Sequence, residues 1–421
     1  MKRKLTAILS LCICAFLLVP ALALAQEPVS EIQVLTYDND FFDDVIADFE
    51  SKNPDIKVIR KLGQGIDTGA TVAMLSSDDA PDVLLVNSGP GRVLPLAQAG
   101  LLEDLTPYYA SRGWDQVVNP SIIETIHNND EKMWEICNGM DVFSVYYHKE
   151  IFDELGLEEP KTFEDFEKIC ATIRDSGMTP IVVGGRDNYQ LGWVMGNFFQ
   201  SVAGRDFMTG LIYGDGKFTD DVFKQALNKV LAFYDNGYFN SDVVAISGDE
   251  AFTSFAMKQS AMIFSGQGNL KTYFADGTLD MEQVSSFAFP SAKGDAAIPT
   301  AGMAHSWVVN KNAGNLEGAL RFMDYVASLD YQICLGSMDE WQYGIGAIQV
   351  EDLSLLNLNP IVSSAFEQLQ GGTGYNPSVY LLGNLKSVYY ADNQELLMKT
   401  KTVDQIAEEL QASKEEYLAN K

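Results

Sequence analysis

Apolar runs of strand length alternate with segments of helical period along most of this chain, and that alternation constrains the fold more than any other feature. Ile32–Thr36 alternates in strand fashion and is closed by Tyr37-Asp38-Asn39-Asp40. Phe42, Val45, Ile46 and Phe49 then repeat at helical spacing, and Asn53-Pro54 stops them before a second strand at Ile56–Ile59. A helix is predicted from about Gly69 to Ser76, and Pro81-Asp82 leads into the apolar strand Val83–Val86. The same rhythm returns with helices at Phe163–Arg174, Asp220–Asn236 and Leu316–Ser328. Strands are predicted at Pro180–Gly184, Ala261–Phe264, Ser286–Phe289 and Ser306–Asn310, and Val403–Ala419 reads as a charged amphipathic helix. Strands that alternate with helices point to an α/β fold whose parallel sheet is covered on both faces.

The N-terminus carries an export pattern. Lys2, Arg3 and Lys4 precede an apolar run from Leu5 to Val19, and Ala23-Leu24-Ala25 has the small residues of a cleavage site. This is read as a signal peptide over residues 1–25, too short in its apolar core to span a bilayer. Neither Cys12 nor Cys14 follows a small residue, so a lipid anchor is not expected. Residues 26–421 exceed one ordinary domain, which predicts two lobes, and no low-complexity linker separates them.

The formal charge is −29, and losing the three basic residues of the leader makes it more negative still. Such a surface repels phosphate backbones and anionic lipids, so nucleic acid and membrane surfaces are not expected partners. Nor does it suit a highly anionic ligand unless a local basic pocket exists, and no cluster of Lys and Arg that would make one stands out in the sequence. Cys137, Cys170 and Cys334 are left after cleavage. An odd number leaves two readings open: one disulfide, such as Cys137–Cys170, or three buried thiols acting as small hydrophobes.

Catalytic motifs are sparse. His127, His148 and His305 fall in no HExxH or His-x-His pattern, and GxSxG, CxxC and P-loop patterns are absent. Asp38-Asn39-Asp40 begins like a calcium loop but lacks its glycine and distal glutamate, so no metal is expected. The aromatic residues say more. Sugars offer apolar C–H faces ringed by hydroxyls, and they are held by flat rings beside planar polar groups. Trp193, Trp307 and Trp341 each stand beside polar loop-like residues, whereas Trp114 and Trp134 do not.

Five segments in order resemble the extracellular solute-binding proteins of ABC transporters, family 1, the carbohydrate-binding group. They are "APDVLLVNSG" (80–89), "AGLLEDLTPYY" (99–109), Tyr146-Tyr147-His148-Lys149-Glu150 with Phe152, Gly156-Leu157 and Pro160-Lys161-Thr162-Phe163, "SAMIFSGQGNL" (260–270), and "AGMAHSWVVNKNAGNLEGALRFMDYVAS" (301–328). The resemblance implies a two-lobed periplasmic-binding-protein fold of type II, with about three hinge crossings and the ligand in the cleft between lobes. The N-terminal lobe would hold residues 26–143 and 300–348, and the C-terminal lobe 144–299 and 349–421. It implies a protein without catalytic residues or cofactor, expected to be a monomer, that captures a sugar or oligosaccharide outside the cytoplasm and hands it to an ABC permease.

Ligand contacts carried over by position are Asp38, Asn39, Asn87, Asp141, Trp193, Gln267, His305, Trp307, Trp341 and Tyr343. The stretch from Val145 to Ile169 is read as architecture: the aromatic pair anchors a strand entering the second lobe, Thr162 caps the next helix, and His148 is structural. Two alternatives stay open. A glycoside hydrolase needs only two carboxylates at the right separation, and 58 acidic residues supply pairs by chance. The same fold could instead hold a polyamine, a peptide or another solute, because fold alone does not set the ligand.

Overall fold

The computed structural model describes residues 29–37, 41–63, 68–77, 79–338 and 346–419. Its strands are β1 (Ser30–Thr36), β2 (Ile56–Leu62), β3 (Val83–Asn87), β4 (Ile136–His148), β5 (Thr179–Val182), β6 (Ser260–Gly266), β7 (Val284–Phe287), β8 (Thr300–Val309) and β9 (Gly374–Tyr375). They join in the order β2-β1-β3-β8-β4-β6-β5, with β7 paired to β4 and β9 to β8.

The sheet is mixed, which corrects the expectation of a parallel one. β1 is parallel to β2 and β3, β5 to β6, and β8 to β9. The two longest strands run antiparallel. The first part of β4, Ile136–Phe143, lies against β8, and its second part lies against β6 and β7. β4 thus belongs to both halves of the sheet, and β8 links it to β3. Long strands buried on every face show no alternation that would betray an antiparallel neighbour.

Both faces are covered, as the alternation predicted. In β3, Val83 and Leu85 face a cluster with Ile32 and Val34 of β1 and with Phe42, Val45, Ile46 and Phe49 of the Phe41–Lys52 helix. Leu84 and Val86 face the opposite way, against Val93, Leu96 and Leu75. This is the two-residue period of a strand buried twice. In the second half, Val145, Tyr147, Ile181, Met262 and Phe264 pack against Phe166, Ile169 and Ile173 of the Phe163–Asp175 helix.

Within the Val145–Ile169 stretch, Thr162 and His148 take the structural roles expected of them, while Tyr146 and Tyr147 pack in different clusters. The Thr162 hydroxyl accepts the Asp165 N–H at 3.1 Å and caps the helix. His148 ends β4, buried, stacked on Phe255 at 4.2 Å and hydrogen-bonded through Nε2 to the Phe255 carbonyl at 2.8 Å. Cys137 and Cys170 are buried free thiols in separate clusters, and Cys334 is a half-buried one. The Cys137–Cys170 bridge is therefore not formed.

Two long helices were not foreseen, Tyr189–Ala203 and Gly383–Met398. Tyr189–Ala203 has nearly every side chain buried, so it lacks the polar stripe from which a helix is read. Asn188 before it adopts φ 69° and gives it no side-chain cap. Gly192 and Gly196 let the chain's later segment approach: a Cβ on Gly196 would sit 2.7 Å from the Asn376 amide, and one on Gly192 would sit 2.8 Å from the Tyr390 ring. The Gly383–Met398 helix is tied to it by the Tyr389 hydroxyl, which donates to the Gly192 carbonyl at 2.8 Å.

Candidate ligand-binding cleft

A cleft of about 440 Å³ opens where these elements converge. One side is the loop after β3, from Asn87 to Arg92. The floor is the middle of β4, at Asp141 and Phe143. The other side is the start of the Tyr189–Ala203 helix with the 378–390 segment. A larger hollow of about 690 Å³ lies at the other end of β1 and β3, around Glu31 and Asp82. There the Asp82 carboxylate is committed to the N–H groups of Gln33 (2.7 Å) and Gly314 (2.6 Å), so that hollow has a bracing role. The 440 Å³ cleft instead lies at the C-terminal end of β3, where ligands of open α/β sheets bind.

Three of the expected residues meet in the cleft: Asn87, Asp141 and Trp193. Trp193 is half-buried near the start of its helix. Phe143 stacks on it with centroids 4.8 Å apart and planes at 26°, and Tyr189 meets it edge-on at 4.9 Å. Its carbonyl accepts from the Asn197 and Asn376 side chains at 3.0 and 3.3 Å, which holds the ring's backbone in place. Asn87 ends β3, and its Oδ1 accepts the Tyr37 hydroxyl at 3.0 Å. Its amide nitrogen has no partner among the described residues and is available to donate. Burial raises the Asp141 carboxyl to about 6. Its oxygens make no hydrogen bond among the described residues, so they are acceptors waiting for donors.

His305 lies beside the cleft rather than among the residues facing it. It opposes Asn87 in the β3–β8 register and packs edge-on against Tyr37 at 5.2 Å. Burial, aided by the Lys271 charge, lowers it to about 4, so its imidazole is neutral at pH 7.

Two expectations are corrected. Trp307 is fully buried in the core. Its Nε1 donates to Asn138 Oδ1 at 2.9 Å and to the Tyr331 hydroxyl at 3.3 Å, and its ring meets Phe322 edge-on at 5.2 Å. No face is left for a ligand. Gln267 is also buried: its Oε1 accepts the Val142 N–H at 2.7 Å and its Nε2 donates to the Met140 carbonyl at 2.5 Å. β6 ends at Gly266, opposite Phe143, and the Gln267 amide continues the hydrogen-bonded ladder along β4. Asp38, Asn39, Trp341 and Tyr343 lie outside the described residues.

The cleft also holds residues that the sequence did not single out. Tyr390 lines it and donates to the Ser378 carbonyl at 3.2 Å. Arg92 and Lys386 face it as well. Arg92 lies just before the Val93–Gln98 helix and Lys386 on the Gly383–Met398 helix.

A mixed α/β sheet with an aromatic- and amide-lined cleft at its strand ends is the architecture of a solute receptor, with cleft groups suited to holding a small molecule rather than transforming it. The family model described as bacterial extracellular solute-binding protein matches residues 35–333, and the chain belongs to that family, whose members bind solutes and are not enzymes. Among relatives it is 23% identical over 295 residues to a multiple sugar-binding protein of Streptococcus mutans, covering 68% of this chain and 67% of that one. It is 22% identical over 394 residues to an uncharacterized ABC transporter extracellular-binding protein of Pyrococcus horikoshii, covering 90% and 85%. Among solved structures, a bacterial solute receptor with an exclusive preference for β-D-galactopyranose superposes with a TM-score of 0.77 at 13% identity, covering 92% of this chain and 99% of that one. That likeness concerns the fold.

Proposed function

We propose that this protein captures a sugar or short oligosaccharide outside the cytoplasm and delivers it to the permease of an ABC importer. The observation that carries the reading is the half-buried Trp193, backed by Phe143 and set in one cleft with the Asn87 amide and the Asp141 carboxylate. A ring covers a sugar's C–H face, while an amide donor and a carboxylate acceptor take its hydroxyls. The sugar-binding and ABC-transporter relatives support it.

The same proposal divides the chain into lobes of residues 26–143 with 300–348 and 144–299 with 349–421, joined by about three crossings, with hinge closure over the ligand. The sharing of β4 between the halves of the sheet supports this division. Asp38, Asn39, Trp341 and Tyr343 remain proposed contacts on the family resemblance. Export with cleavage after Ala25 belongs to the reading too, and mass spectrometry of the exported protein should find Gln26 first.

Arg92 and Lys386 argue against a polyamine, which two cations facing the cleft would repel. A thermal-shift screen over neutral sugars, acidic sugars, polyamines and peptides tests the function. A bound sugar at about 100 times its Kd adds about 2.7 kcal/mol to stability by mass action. Stabilisation by sugars, with no new reducing ends on incubation with oligosaccharides, is expected. Stabilisation by polyamines or peptides alone, or release of reducing ends, would overturn it.

A further inference from the structure

The cleft's two cations raise a question that a neutral sugar does not answer. The chain has 58 acidic residues against 29 Lys and Arg, so a cation without a carboxylate neighbour is unexpected. Yet Arg92 and Lys386 both face the cleft, and neither makes an ion pair or a side-chain hydrogen bond among the described residues. They come from opposite walls. Arg92 stands on the loop after β3, just before the Val93–Gln98 helix, and Lys386 is half-buried on the Gly383–Met398 helix with its Nζ 5.8 Å from the Tyr390 ring centre.

The two charges are close enough to act on each other. Burial first, and then the charge of Arg92, lowers the pKa of Lys386. Arg92 also pulls against the burial that raises Tyr37 to about 12, so its guanidinium lies near Tyr37 as well as Lys386. Asp141, on β4, and Trp193, on the Tyr189–Ala203 helix, line the same cleft. Two like charges that share a cleft with no ion-pair partner among the described residues repel each other.

We infer that the sugar bound in this cleft carries an anionic group, a ring carboxylate or a sulfate or phosphate ester, seated between Arg92 and Lys386 while its hydroxyls and C–H face reach Asp141 and Trp193. Arg92 supplies a planar donor fork and Lys386 a compact charge, a pairing suited to oxyanions. The inference rests on the sugar-binding reading of the same cleft and narrows its substrate class. The overall acidity of the protein does not oppose it, because the exposed charges are screened beyond about 8–10 Å in physiological salt while the paired cations act at contact.

The test is calorimetric titration of the full mature chain with matched probes: galacturonic and glucuronic acids and their disaccharides, galactose 6-sulfate, glucose 6-phosphate, the corresponding neutral sugars, and inorganic phosphate. An acidic sugar should bind roughly tenfold or more tightly than its neutral match, as expected of charge-assisted contacts. Carboxylated, sulfated and phosphorylated probes show which anion is preferred. Raising the salt from 50 to 500 mM should weaken the acidic sugar selectively. Lys386→Gln and Arg92→Gln, each confirmed as folded by melting, should bring the ratio of acidic to neutral affinity towards one. If neutral sugars bind as tightly as acidic ones and the ratio is unmoved in both variants, the anionic substrate is refuted and the sugar receptor stands. If no sugar of either kind binds, or inorganic phosphate alone binds as tightly as the acidic sugars, the sugar reading itself fails.

Discussion

Replacing Trp193 with alanine separates a ligand platform from a core residue, because Trp307 provides the matched control in the same protein. Trp193 is half-buried: Phe143 stacks on it at 4.8 Å and Tyr189 meets it at 4.9 Å, with the rest of the ring turned to the cleft. Truncating an aromatic anchor at the centre of a binding site costs roughly 2 kcal/mol or more. At about 1.4 kcal/mol per tenfold, that raises Kd about thirtyfold. The folding cost should fall below the roughly 3–5 kcal/mol of a fully enclosed Trp→Ala change, since part of the ring already meets solvent. Trp307→Ala should do the reverse. It opens a cavity beside Phe42 and Phe322 and removes a donor from Asn138, for the full core cost of roughly 3–5 kcal/mol. Calorimetric affinity for the sugar found by screening, paired with melting of the ligand-free protein, reads both effects. Wild-type affinity in Trp193→Ala would refute the stacking platform. Lost affinity with unchanged melting in Trp307→Ala would refute its place in the core.

Asp141→Asn should change stability with pH. The folded carboxyl titrates at about 6 against an ordinary 3.8, so its contribution is fully present below pH 3.8 and lost as pH rises through 6. The variant should match the wild type near pH 3.5 and exceed it at pH 7.5, by up to about 3 kcal/mol at about 1.4 kcal/mol per pH unit; equal urea midpoints at pH 7.5 would contradict the burial argument. Gln267→Leu should destabilise by about 1–3 kcal/mol for each of the Val142 N–H and Met140 carbonyl left unpaired, read by urea denaturation, and an unchanged midpoint would contradict the ladder-extending role. Closure of the lobes should lower the radius of gyration in small-angle scattering when the screened sugar is added, and an identical radius at saturation would count against a closing hinge.

What the sequence determined by itself was the local order of elements. Phe42, Val45, Ile46 and Phe49 declare a helix because one face is buried and the other is wet, and Thr162 declares a helix start because its hydroxyl meets an N–H three residues on. Such signals depend on neighbours within one or two turns, and the strands Val83–Asn87 and Ser260–Gly266 were legible for a similar reason, being short apolar runs between turns. The Tyr189–Ala203 helix escaped because burial on all sides erases its period and its glycines read as breakers.

Tertiary structure alone decided which way each chemically capable side chain points. Trp193 and Trp307 sit in similar polar settings along the chain, yet one borders a cleft and the other is enclosed by Phe42, Phe322 and Tyr331. Gln267 follows a strand as a ligand contact would, but the end of β6 leaves rungs of β4 unfilled and its amide fills them. Arg92 and Lys386 are far apart in the chain. They become a pair only because the Gly383–Met398 helix packs on the Tyr189–Ala203 helix and faces the loop after β3 across the cleft, a contact between distant segments that no local spacing encodes.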